Sequence, residues 1–142
     1  MSDRATLHPD LELRVARAEA AIAVIKPKFQ VALVKELARL GTLGDAGTAG
    51  ETLEDLRALI HDIKGNAGGF GFNLVSEIAA GLNAYLVAIP NLGPLDAGII
   101  HDHCNSMTIA ATGPLDADQN RQIEEFIRLS QQLVPKGIDN DG

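Results

Sequence analysis

His61, Lys64 and Gly65 stand three and four residues apart. On a helix, such residues share one face. A neutral imidazole is a good nucleophile near neutral pH, since the free ring titrates at about 6.5. One ring nitrogen can attack phosphorus while the other keeps its proton. A lysine one turn away offsets charge on the transferring oxygens. A glycine bares the backbone so that another molecule can come close. In a helix interior it costs roughly 1 kcal/mol relative to alanine, so its place beside a histidine calls for a reason. The same side carries Glu54, Arg57, Ala58 and Gly68. The chemistry these residues suit is acceptance and release of a phosphoryl group. The donor must lie elsewhere, because the chain has no glycine loop ending in Lys-Ser/Thr and no kinase signature.

Other chemistry-bearing residues fit together less well. His101, His103 and Cys104 invite a metal reading, but on a helix positions 101 and 103 point about 200° apart and cannot converge on one ion. No metal site is expected. Cys104 reads as a small buried residue and His8 as a solvated one. Gly69-Phe70-Gly71 is not a dinucleotide fingerprint, since no strand precedes it and the third glycine is missing. Asp62 points away from His61, so no His–Asp dyad is expected.

The elements that must position His61 are helical. Leu53, Leu56, Ile60 and Ile63 form the apolar stripe of its helix, which places His61 just outside the core. Thr48 and Glu51 have the spacing of a capping box at its start, and the Gly68-Gly69 region is where it should stop. Before it, Leu11, Val15, Ala18, Ile22 and Ile25 make one stripe and Phe29, Leu33, Leu37 and Leu40 another. Pro27 between them implies a break or strong kink. Residues 41–50, rich in glycine, read as a flexible connection. After the histidine helix, Phe72, Val75, Ile78, Ala79, Leu82, Leu86 and Ile89 mark another helix. Further helices are expected over about 95–111, with Leu95, Ile99, Ile100, Met107 and Ala111 inward, and over about 116–134, burying Ile123, Phe126, Ile127 and Leu133. No alternation of strand length appears. The reading is all-α: an antiparallel helical bundle in one domain.

Composition narrows the classes of function. The chain has 142 residues, 46% of them hydrophobic and 4% aromatic, so aliphatic side chains must build the core. A net charge of -7 argues against nucleic acid as partner. One cysteine allows no internal disulfide, and neither a signal peptide nor a run of about 20 apolar residues is present. A cytoplasmic protein that does not bind membranes is expected.

The stretch His61, Lys64, Gly65, Gly71 resembles the signature of histidine phosphotransfer (HPt) domains. The likeness extends through the Gly-Gly-Phe-Gly-Phe run into the following helix and covers roughly residues 27–112. It implies a four-helix bundle as the core, flanked here by helices at about 9–25 and 116–134, with the histidine exposed at mid-bundle. It implies that His61 takes a phosphoryl group from a receiver-domain aspartate and passes it to a response regulator, making the protein a phosphocarrier and not an independent enzyme. It further implies that Lys64 lies near the phosphoryl group, that Gly65 and its small neighbours Ala58 and Gly68 give the receiver room, and that Gly71 shapes the hairpin. Many members set a glutamine from the next helix against the histidine ring; the matching residue is Asn83, a shorter amide. No resident cofactor is implied, since the magnesium belongs to the receiver, and a monomer is expected. A helical module that docks a signalling protein without chemistry is the alternative.

Overall fold

The computed structural model describes residues 8–45, 50–89, 92 and 94–135. Among these, all regular structure is helical: α1 (Pro9–Asp45), α2 (Gly50–Gly69), α3 (Asn73–Ala88), α4 (Ala97–Thr112) and α5 (Ala117–Ser130). No helix is long and apolar enough to cross a membrane among the described residues.

The α2 stripe is buried as its spacing requires: Leu56, Ile60, Ile63 and Ala67 are wholly inaccessible. α3 contributes Val75, Ile78, Ala79, Leu82 and Leu86, and α4 contributes Ile100 and Met107. The second half of α1 adds Leu33, Leu37 and Leu40. Burying such a side chain is worth roughly 1.5–3 kcal/mol, so this one aliphatic cluster provides the main drive for assembly. α1, α2, α3 and α4 close into a ring in which α1 touches α2 and α4, and α3 touches α2 and α4. Neighbours run antiparallel. The Gln30 amide donates to the Ala111 carbonyl at one end of the α1–α4 pair, and His101 meets Asp45 at the other.

α2 ends at Gly69, in the paired-glycine region where its stop is expected. Gly71, just beyond, takes the left-handed conformation at φ 84°. The Phe72 amide donates to Ala67 O at 2.8 Å and the Gly71 amide to Gly68 O at 3.2 Å. These two bonds cap the last turn in the Schellman arrangement. The turn is held against α1 by aromatic rings: Phe29 stacks on Phe70 with centroids 4.3 Å apart, and Lys26 Nζ lies 4.8 Å from the centre of the Phe72 ring.

Two expectations are corrected. α1 is one helix through Pro27, without the break that proline implies. Proline removes one backbone donor, but the alanine-rich flanks favour the helix on both sides. The helix also runs on to Asp45 instead of giving way to a loop at Gly41. Gly44 is buried there because a Cβ would stand 2.8 Å from the Ile100 side chain, so its bareness lets α1 and α4 close up. The stripe from Leu11 to Ile25, on the part of the helix expected to flank the core, is uncovered: Leu11 is 45% exposed and Ile25 47%. The helix outruns the elements that could cover it. The Thr48–Glu51 capping box lies outside the described residues.

α5 begins at a true capping box, in which the Asp116 side chain accepts from the Gln119 amide and the Gln119 side chain accepts from the Asp116 amide. It docks through one polar contact. The buried Ser130 hydroxyl lies 2.7 Å from His103 Nε2 on α4, directly over Gly81 of α3. His103 Nδ1 donates to the Ile99 carbonyl at 2.7 Å, so Nε2 accepts from serine.

Candidate functional site

The site is the solvent face of α2. His61, Ala58, Lys64 and Gly65 are all exposed there. Their alignment follows from the register of the core: Ile60 and Ile63 are fixed inward, so His61 and Lys64 are turned outward on adjacent turns. Among the described residues, neither the His61 side chain nor the Lys64 side chain has a hydrogen-bond or ion-pair partner. A Cβ at Gly65 would find nothing within 4 Å, so the backbone is open to an approaching surface.

Two hydrogen bonds fix this face relative to α3. The Ser76 hydroxyl donates to the Lys64 carbonyl at 2.9 Å. At the other end, the Arg57 guanidinium donates to Leu86 O at 2.9 Å from Nε and 2.7 Å from Nη2, and to Ile89 O at 2.9 Å. Carbonyls in the last turn of a helix have no partner within it, and Arg57 supplies one from α2. Sequence reasoning placed Arg57 beside His61 on the same side; the structure turns it into the α2–α3 seam, half-buried. Lys64 is therefore the cation nearest His61 along α2. Ser76 went unread altogether, because its role depends on a contact twelve residues away. The only local hint was the small residue Gly68, whose Cβ would stand 3.3 Å from the Ser76 hydroxyl. Gly68 is thus where α3 comes close to α2.

Asn83 is half-buried on α3, and no hydrogen bond joins it to His61. Gly71 lies at the hairpin, away from the face, where only a left-handed residue fits. Cavities open elsewhere: one of about 560 Å³ lies between the middle of α1, the α2–α3 turn and the end of α4. His61 instead stands on an open helix surface. That geometry suits reaction with an atom carried by another macromolecule, and gives a small substrate no enclosure.

The remaining histidines are engaged. His101 Nε2 lies 2.6 Å from Asp45 Oδ1, and His8 Nδ1 accepts from the Asp10 amide at 3.2 Å. His103 is buried, and desolvation holds its pKa below the ordinary histidine value against the opposing pull of the Ile99 carbonyl and Asp102. His101 and His103 thus point to different helices. Burial also pushes the Cys104 thiol up to about 11, which makes it a poor thiolate. Comparison of the chain with family models, curated proteins and solved structures returns no match.

Proposed function

We propose that this protein is a phosphocarrier of the HPt kind, with His61 as the acceptor. The observation that carries the reading is an exposed imidazole with both nitrogens unengaged, one turn from a free cation and from a glycine open to solvent. The antiparallel ring of α1 to α4 is compatible with the four-helix bundle that the resemblance implies. In the reaction, the lone pair of Nε2 attacks the phosphorus of a receiver's aspartyl phosphate. The phosphorus–oxygen bond to the aspartate breaks, and the carboxylate leaves with its electron pair. Nδ1 keeps its proton, so the product carries a positive ring and a doubly negative phosphoryl group. Return of the group to another receiver's carboxylate reverses each step. Lys64 offsets charge on the phosphoryl oxygens, and Ala58 and Gly65 leave space for the receiver's active-site edge. The partners are receiver domains, and this chain supplies no nucleotide site of its own.

Incubation with a panel of phosphorylated receiver domains tests the reading. The parent should acquire an acid-labile, alkali-stable label from them and none from ATP alone. His61→Ala should abolish labelling, while His101→Ala should not. Label that persists in a folded His61→Ala protein removes the assignment. Receiver binding without any labelling of the parent favours the docking module.

A further inference from the structure

The cavity between the middle of α1, the α2–α3 turn and the end of α4 has no part in the chemistry at His61. At about 560 Å³ it has the size of a small-molecule site. Most of its wall is apolar, with Ala23 and Pro27 on α1, Leu74 and Val75 on α3 and Ala110 on α4. The one charged side chain in that wall is Lys26, which is half-buried. Its ammonium lies 4.8 Å from the centre of the Phe72 ring, and a Cβ on Gly71 would stand 3.5 Å from it. No carboxylate lines the cavity or pairs with Lys26 among the described residues, although the chain has 19 acidic residues against 12 lysines and arginines. A cation drawn partly out of water favours a counter-charge, and the wall supplies none.

We propose that this cavity binds a small organic monoanion, a carboxylate carried on an apolar body. Lys26 supplies the charge and the apolar wall the bulk of the contact. Further donors line the same space. Phe72 precedes α3 without a side-chain cap, and the first hydrogen bond of the helix runs from the Ser76 amide to Phe72 O. The backbone amides of Asn73, Leu74 and Val75 therefore have no partner among the described residues, and all three residues line the cavity. A carboxylate accepts such charge-assisted bonds at both oxygens. On the opposite wall, the Ala111 carbonyl already receives the Gln30 amide, so this acceptor is not left to face the anion unpaired. A single lysine balances a single negative charge, which favours a carboxylate over a doubly charged phosphate. The site is separate from the α2 face, and the inference does not depend on the phosphocarrier reading.

Backbone-amide NMR on the full chain, titrated with phenylbutyrate, tests the proposal. The amides of Gly71, Leu74 and Val75 should shift in a saturable way. Phenylbutyramide, the uncharged analogue of the same shape, should bind at least about tenfold more weakly. Lys26→Met should weaken phenylbutyrate binding by a similar factor with helical circular dichroism unchanged. Lys35→Met, a loss of charge on α1 outside this cavity, should leave binding unaltered. Ala23→Phe, which places a ring at the exposed rim, should compete with the ligand for the space and weaken binding of both compounds. No saturable shift up to about 10 mM phenylbutyrate, weaker than any useful site, overturns the proposal. Equal affinity for the two compounds, or binding that Lys26→Met leaves intact, overturns the anion specificity. Shifts centred on another part of the molecule overturn the location.

Discussion

Gly65 separates folding from chemistry more cleanly than any other residue on the α2 face. Nothing lies within 4 Å of a Cβ built there, so Gly65→Gln should fold and gain up to about 1 kcal/mol from helix propensity. Transfer from a phosphorylated receiver should nevertheless fall on the order of a hundredfold, because the new side chain holds the two reacting atoms apart. Chemical denaturation and a single-turnover transfer assay on the same variant check both halves; equal transfer rates would remove the steric role. His103 offers a test of opposite character. Its folded-state pKa is lowered by burial, so the unfolded chain binds the proton more readily. Stability must then be fully present above about 6.5, the unfolded value, and decline as pH falls through that value toward the folded one. Urea midpoints at pH 7.5 and pH 5.5 should show this slope in the parent and a shallower one in His103→Asn. The exposed face shared by His61, Lys64 and Gly65 was legible from spacing alone, because a helix fixes which residues share a face. The roles of Ser76, Ser130 and Arg57 were not, since each depends on a contact with another helix.

At the scale of elements, the docking of α5 rests on the absence of a side chain. A Cβ at Gly81 would collide with the Ser130 hydroxyl and disturb its bond to His103. Gly81→Ala should therefore destabilise the protein by about 1–3 kcal/mol, despite alanine's better helix propensity. Adding Ser130→Gly should recover part of that loss, since it removes the colliding group. Thermal unfolding of the two variants decides the matter; a stabilised Gly81→Ala would mean that α5 shifts at little cost. Helix identities were readable because each stripe has enough apolar residues to declare its period. Boundaries were less so. Pro27 and Gly41 carry strong local signals for a break, and both are overridden where α1 is continuous. Gly44 shows why: packing on Ile100 rewards a glycine that propensity would penalise. The exposure of Leu11 to Ile25 could not be read at all, because periodicity shows that a face is apolar and not whether anything covers it. The Asp116–Gln119 capping box, by contrast, was present in the sequence as Asp-x-x-Gln and was missed.

For the whole molecule, the two ends of the α1–α4 pairing have a kinetic consequence. Gln30 meets a carbonyl 81 residues away and His101 meets Asp45 across 56 residues. The α2–α3 hairpin closes instead through the short turn after Gly69, with Ser76 reaching only 12 residues back. Closing a longer loop costs more entropy before any contact rewards it. The hairpin should therefore be largely formed at the folding barrier, and the long helix should settle onto α4 afterwards. Ser76→Ala should slow folding with little change in the unfolding rate, while Gln30→Ala should mainly speed unfolding. Stopped-flow rates across a range of urea concentrations separate these outcomes, and Gln30→Ala acting chiefly on the folding limb would reverse the order. If α1 docks late, its release from α4 opens the fold without dissolving the helix that carries His61. The exposed His61 face would then outlast the rest of the molecule under mechanical or thermal stress.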